Sequence, residues 1–302
     1  MNTDALVIGG GAAGLAAATT LARARLSVTV VDGGEPRNAP AEGVHAFLTR
    51  DGLAPAELVR IGREQLAQYG ATTLDDAAVS TARDGERIAV TLASGTVVRT
   101  RRLLVASGVV DRLPDVDGLH EHWGKGVVHC PFCHGWEVRE RPLVILATDG
   151  ALAAHAGRLW RRWTDDLTVV RHTPGVLNAE QEQALAEAGV KVVDGPAVAI
   201  ESDDAGVTAI RTADGAVPCA AVVVPTFVEA RAGFLAGLGL EPEPLEMMGT
   251  VVGTRVATGP VGATAADGVW AAGNVADPFA QVVAAAAAGN QAAAAMVFSL
   301  AG

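Results

Sequence analysis

Residues 130–134 read Cys-Pro-Phe-Cys-His, and two cysteines at i and i+3 can open and close a small redox disulfide. Where such a pair begins a helix, the first sulfur faces unpaired backbone N–H groups and the positive end of the helix dipole, which stabilise a thiolate. Pro131 suits the first helical position, which has no intrahelical N–H bond to lose. The competing reading is half of a zinc site. Cys219 is the only other cysteine, and one distant thiol does not complete a four-ligand tetrahedron unless histidines do so. His120 and His122 form an HxH with no further ligand cluster, so no metal is expected. His134 directly follows the second cysteine, and an imidazole that titrates near neutrality can take a thiol proton. His129, immediately before the pair, would either assist that transfer or pack beside it.

A second chemistry lies at the other end of the chain. Ala5–Ile8 is a short continuous apolar run, as expected of a parallel strand buried on both faces. Gly9, Gly11 and Gly14 then give GxGxxG, an alanine-rich helix runs to about Arg25, and a strand over Val28–Val31 ends at Asp32. Gly9 allows the tight turn, Gly11 lets the backbone approach a pyrophosphate, Gly14 permits close packing of helix on strand, and Asp32 accepts hydrogen bonds from an adenosine ribose. Strand, turn, helix and acid in that order specify a dinucleotide site far better than the glycines alone.

The elements around these two sites belong to an α/β protein. Half of the 302 residues are apolar and 35 are glycine, enough for two cores with helices packed closely on sheets. The formal net charge of -11, with no extended Lys/Arg cluster, excludes a phosphate-tracking nucleic-acid binder. Arg99–Arg102 is a short run flanking an apparent strand. Three cysteines, two in one CxxC, fit a reducing, cytoplasmic setting with catalytic disulfide chemistry. The first strand begins too early to leave room for a signal peptide. Ala280–Leu300 is the longest apolar stretch; its alanine content and the Gly289-Asn290-Gln291 interruption predict a buried terminal helix and no membrane span.

Between the ends, a helix starts near Pro55, and Ile88–Leu92 and Thr96–Val98 flank a Ser94-Gly95 hairpin signal. Leu103–Ala106 is another buried run. After Pro114 a second unit repeats the logic of the first, with strands near Leu143–Leu146 and Leu167–Val170, helices near Ala151–Trp163 and Ala179–Ala188, and short strands to about Pro225. Gly268–Asn274 reads GVWAAGN, a buried strand into a turn, followed by the last helix.

These motifs together resemble the low-molecular-weight thioredoxin reductases and their relatives among the flavin disulfide oxidoreductases. The likeness rests on Gly9/Gly11/Gly14 with Asp32, on Ala106-Ser107-Gly108 in place of an ATG motif, on the mid-chain CxxC and on GVWAAGN, and it covers almost the whole chain. It implies an α/β architecture of two Rossmann-like, three-layer ββα nucleotide-binding domains. Residues 1–113 and 229–302 would form an FAD domain built from both chain ends, and 114–228 an inserted middle domain. It also implies a homodimer. The FAD-binding positions are then Gly9, Gly11, Ala12, Ala13, Gly14, Asp32, Gly33, Arg37, His45, Val79, Ala106, Gly108, Gly273, Asn274, Gln281 and Val282. By the same resemblance Cys133 is the flavin-proximal thiol and Cys130 the one that exchanges with substrate.

Departures from the family pattern narrow the expectation. An acid usually follows the CxxC of thioredoxin reductases; here His134-Gly135-Trp136-Glu137 resembles the dithiol oxidases of gliotoxin and holomycin biosynthesis, which close disulfides in small natural products and pass electrons to oxygen. The nicotinamide-binding turn of the middle domain reads Ala147-Thr148-Asp149-Gly150-Ala151-Leu152, with a carboxylate where phosphate should approach. Arg171 alone stands where the family offers two or three arginines for a 2′-phosphate. NADPH binding is therefore doubtful. Asn274 replaces an aspartate of the ribityl site and can still accept and donate hydrogen bonds. The expectation is an FAD-dependent oxidase of a small dithiol, using Cys130, Cys133, His134 and His129. A reductase passing electrons from NADPH or another donor to a thioredoxin-like protein, and a flavin-binding redox sensor without turnover, stand as alternatives.

Overall fold

Apolar runs without alternating polar residues become strands buried on both faces, and they build the two central sheets. In the computed structural model, which describes residues 1–301, Asn2–Ile8 pairs in parallel with Val28–Asp32 on one side and with Val97–Val105 on the other. Thr72–Asp75 extends the sheet past Val28–Asp32, and Val269–Ala271, from the far end of the chain, pairs with Val97–Val105. Arg87–Leu92 and Ala78–Asp84 complete seven strands in antiparallel register.

Among the described residues six α-helices follow in chain order: α1 (Ala12–Arg23), α2 (Pro55–Ala67), α3 (Pro131–His134), α4 (Gly150–Trp160), α5 (Ala179–Glu187) and α6 (Val282–Ala301). One face of the seven-stranded sheet, including Ala5, Val7 and Val30, packs on α1 and α6. The alternate residues Leu6, Ile8 and Val31 pack toward Ala230, Leu235 and Val256, beside a four-stranded sheet formed by Val109–Arg112, Phe227–Ala230, Glu243–Met247 and Thr250–Arg255.

The same layering recurs in the middle of the chain. Five parallel strands, Val127–Val128, Leu143–Ala147, Leu167–Arg171, Lys191–Val193 and Ala221–Val223, form one sheet. Leu143, Ile145 and Val169 face Ala153 and Trp160 of α4 and Leu185 of α5. Val144, Leu146 and Val170 face the three-stranded meander of Ala197–Asp203, Gly206–Thr212 and Gly215–Pro218. Each central sheet thus lies between helices and a second sheet, which is the three-layer ββα architecture expected.

Two readings of the sequence need correction. Thr96–Val98 and Leu103–Ala106 are not separate strands, and Arg99–Arg102 does not flank one; Val97–Val105 is continuous and contains all four residues. Its first half alternates buried and exposed residues, whereas Leu103–Val105 is buried throughout. The second correction concerns α6, which runs unbroken through Gly289-Asn290-Gln291 and buries only one face. A Cβ on Gly289 would lie 2.0 Å from the Ala13 carbonyl oxygen, so this glycine lets α6 touch the backbone of α1. Val283 and Phe298 on α6 are exposed. Val282–Ala301 has the length and hydropathy of a membrane span, but its Gly289 face is committed to α1.

Candidate functional site

The first site is the turn between Asn2–Ile8 and α1. Gly9 adopts φ +108°, and a Cβ there would stand 2.2 Å from the Ala106 carbonyl oxygen; one on Gly14 would stand 1.8 Å from that of Gly9. Both glycines are therefore fixed by backbone contact. Gly11 differs, since a Cβ there would meet nothing within 4 Å. Gly11 caps α1 with no side-chain hydrogen bond, which leaves the first-turn N–H groups, including those of Ala12 and Ala13, directed at open space. Open volume in front of bare helix N–H groups fits a pyrophosphate.

Asp32 ends its strand beside this turn, at the position where the sequence leads one to expect a ribose. Its Oδ2 accepts from Arg63 Nη2 at 2.5 Å, and Arg63 also reaches Asp75 at 3.0 Å. Asp32, Gly33, Gly34, Arg63, Asp76 and Ala77 line a cavity of about 380 Å³. Arg63 is a residue that sequence reasoning missed. Nothing local marks it, because it comes from α2. Val79 is exposed on the strand that follows Ala77. Ala106 abuts Gly9, Gly108 adopts φ +73° over open space, and Gly273 packs on Ala13. Asn274 donates through Nδ2 to the carbonyls of Asp277, Pro278 and Ala280, so its amide shapes the loop that leads into α6. Gln281 precedes that helix and Val282 begins it. These residues fit an FAD whose pyrophosphate sits on α1.

The second site is the dithiol. Cys130 is the N-cap of α3, Pro131 is its first residue, and the Cys133 thiol donates to the Cys130 sulfur at 2.6 Å. That bond, with the backbone N–H groups of Cys133 and Phe132 and the charge of Arg37, outweighs burial and lowers the Cys130 pKa to about 7. Cys133 moves the other way, its pKa raised by the proton it shares with Cys130 and by burial. The pair is thus asymmetric, with Cys130 as the readily ionised sulfur.

The histidines on either side are placed differently. Both ring nitrogens of His134 are buried without a hydrogen-bond partner. Burial lowers its pKa, against the opposing pull of Glu137 and the Gly124 backbone. His129 stacks on Trp123 with ring centroids 5.6 Å apart, and its Nε2 lies 3.4 Å from Arg37 Nη2. Burial first, then the charges of Arg37 and His134, bring its pKa down to about 4 despite Asp111. His129 is therefore a neutral ring facing a cation. Arg37 makes a two-point pair with Asp111 at 2.6 and 2.7 Å and donates to the Pro278 carbonyl at 2.7 Å. His45 stands 3.6 Å from Glu137 of the dithiol segment and 3.7 Å from Asp51. Arg37 and His45 thus stand beside the dithiol segment, and Arg37 shares the Pro278 carbonyl with Asn274.

The third feature is the N-terminus of α4, where a second dinucleotide would be expected. Asp149 is the N-cap, and its Oδ1 accepts from Leu152 N at 2.9 Å. Its Oδ2 accepts from Thr250 Oγ1 at 2.9 Å, a bond to the four-stranded sheet. A Cβ on Gly150 would lie 2.1 Å from the Val176 carbonyl oxygen and 2.6 Å from Gln181 Oε1, so protein atoms crowd this turn. Arg171 is held by Glu182 and Asp194 at 2.7 and 2.6 Å.

A cofactor cradle, an asymmetric CxxC and two ββα units define a flavin-dependent disulfide oxidoreductase of the thioredoxin-reductase type. Residues 3–289 match the family model for pyridine nucleotide-disulphide oxidoreductases, and the chain belongs to that family. It is similar to thioredoxin reductase sirT of Leptosphaeria maculans, with 32% identity over 299 residues, 93% of this chain and 89% of that protein. It is also similar to thioredoxin reductase tcpT of Claviceps purpurea, with 31% identity over 80% of this chain and 78% of that protein. A probable thioredoxin reductase of Arthroderma benhamiae is 38% identical over 150 residues, only 37% of its length. Among solved structures, HlmI superposes with a TM-score of 0.92 at 39% identity, over 99% of this chain and 93% of that one. An oxidoreductase from Agrobacterium tumefaciens superposes with a TM-score of 0.91 at 30% identity, over 100% and 99%.

Proposed function

We propose that the protein oxidises a small dithiol to a disulfide, with oxygen as the final electron acceptor and without nicotinamide. The observation that carries this reading is His134, a buried imidazole with both nitrogens unpartnered, directly after Cys133. A thiol-exchange site needs such a group to receive and return protons.

In the oxidising direction His134 takes the proton of the first substrate thiol. The resulting thiolate attacks Cys130 Sγ, the Cys130–Cys133 bond breaks, and Cys133 departs as it takes up the proton from His134. A departing sulfur leaves more readily when it is protonated, so the imidazolium next to it in sequence makes this departure feasible. The second substrate thiol, deprotonated in turn, attacks the substrate sulfur of the mixed disulfide. Cys130, the easily ionised sulfur, leaves as thiolate. The substrate has then lost two protons and two electrons. FAD, which the Gly9–Gly14 turn would hold, would supply the two-electron acceptor for the reduced pair. Self-capping of α4 by Asp149 supports a dithiol, rather than NADPH, as the electron source.

Comparing the pH profiles of dithiothreitol oxidation for wild type and His134→Gln tests the reading. The variant keeps its flavin and is slower by roughly 10²–10⁴-fold near neutrality, with the gap closing at high pH as the substrate ionises unaided. Superimposable profiles would remove His134 from the chemistry and leave the oxidase reading unsupported.

A further inference from the structure

Arg37 lies on the loop after Val28–Asp32, yet its guanidinium reaches the dithiol segment. Its side chain is 17% exposed and that of its partner Asp111 is 5% exposed, so the ion pair is largely out of water. Thr226 Oγ1 donates to Asp111 Oδ1 at 2.8 Å, and Arg37 donates to the Pro278 carbonyl at 2.7 Å. Asp111 is thus surrounded by donors. Burial alone would raise its pKa, but the bonds and charge of Arg37, with His129 and Thr226, hold it below the ordinary carboxylate value. Arg37 has been gathered from one part of the chain, Asp111 and Thr226 from the segments joining the two ββα units, and Pro278 from the loop before α6.

We propose that Arg37 is a positioning residue for thiol exchange: gripped by Asp111, it sets the charge felt by the Cys130–Cys133 pair and occupies the His129 Nε2 lone pair, so that the exchanged proton goes to His134. Three observations support this. A guanidinium carries only donors, so at 3.4 Å it leaves His129 Nε2 to act as the acceptor, with the ring proton on Nδ1. A histidine held in that form has no free lone pair to offer a substrate thiol. His134 has no such partner on either nitrogen. The charge of Arg37 also stabilises the thiolate forms of both cysteines. Besides Arg37, the groups around Cys130 that ionise are Cys133, His129, His134 and Asp111, with Glu137 and His45 beyond His134.

The inference rests on the proposed exchange at Cys130, but its test needs neither turnover nor an electron acceptor. Flavin-loaded protein is reduced with dithiothreitol under argon, freed of reductant and treated with iodoacetamide across pH 5–9, and the Cys130 adduct is followed by mass spectrometry. The alkylation midpoint lies near pH 7 in wild type. In Arg37→Met it moves up, because a nearby cation is lost. In Asp111→Asn, which keeps an acceptor for Arg37 and Thr226 but leaves the guanidinium uncompensated, it moves down. A purely structural role gives shifts of one sign in both variants, or none, and either result overturns the proposal. Where Arg37→Met fails to fold with flavin, the near-isosteric Asp111→Asn decides alone: a midpoint unchanged or raised refutes the proposal. Absence of dithiol oxidation in the wild type, together with opposite midpoint shifts in the variants, would reject the oxidase reading while keeping Arg37 in its role.

Discussion

The two ββα units each place a helix N-terminus at the end of a central parallel strand, and they treat it in opposite ways. At α1 the cap is Gly11, no side chain bonds the first-turn N–H groups, and the space before them is open. At α4 the cap is Asp149, which accepts from Leu152 and is itself held by Thr250. Anion binding at a helix N-terminus depends on donors that the protein has left unsatisfied. One unit therefore offers its first-turn donors to a phosphate, and the other bonds a carboxylate of its own there. One chain can keep a fold twice while keeping its ligand chemistry once, since the sheet needs only apolar strands and the ligand needs a specific turn.

The sharpest way to break this comparison is to close the open end. Gly11→Val puts a branched side chain where the backbone should meet pyrophosphate, and losing two charge-assisted hydrogen bonds corresponds to roughly 10²–10⁴-fold weaker binding. The expected result is a nearly colourless protein with an intact circular dichroism spectrum, measured as the flavin-to-protein absorbance ratio after gel filtration. A fully yellow variant would place the cofactor elsewhere.

Opening the closed end has a smaller effect. Asp149→Ala removes both the cap and the bond to Thr250, and an N-cap loss costs about 0.5–2 kcal/mol. Thr250→Val leaves the cap and costs about 1 kcal/mol. Urea denaturation should rank the two in that order. Neither variant gains NADPH-dependent flavin reduction, because the Val176 carbonyl and Gln181 still crowd Gly150. A variant that does respond to NADPH would show that the carboxylate alone had blocked an otherwise competent site.

A third test uses pH. His129 is held neutral, with its pKa lowered to about 4 from an ordinary 6.5. Between those values the unfolded chain binds a proton that the folded protein does not, so this contribution to stability is complete above pH 6.5 and is lost as pH falls to about 4. Its size is at most about 3 kcal/mol, and less where Asp111 shares the proton. His129→Phe, which keeps the stacking surface, should show a shallower fall in denaturation midpoint over that range. Parallel curves for the two proteins would mean that His129 is not buried as a neutral ring.

What could be read from the sequence was the chemistry that is local along the chain. Gly9, Gly11, Gly14 and Asp32 carry their spacing with them, as do Cys130, Cys133 and His134. The repulsive Asp149 was legible as well, but its use of both oxygens was not, because Thr250 lies 101 residues away. Arg63 on Asp32 and Asp111 on Arg37 were hidden for the same reason, at separations of 31 and 74 residues. The terminal helix was legible, but the reason for Gly289 in it was not, because only the facing backbone of Ala13 explains it. Val97–Val105 was split for a different reason: it changes from a strand with one exposed edge to one buried on both faces, and so changes its hydrophobic period midway.

The most direct test of the account is to mix anaerobic, flavin-loaded protein with dithiothreitol or with NADPH and follow flavin absorbance in a stopped-flow instrument. Dithiothreitol should bleach the flavin in wild type and leave Cys133→Ser yellow, while NADPH at micromolar concentration should leave both yellow over the same interval. Fast, saturable bleaching of wild type by NADPH would contradict the account, because it would require a competent nucleotide site at the self-capped end of α4.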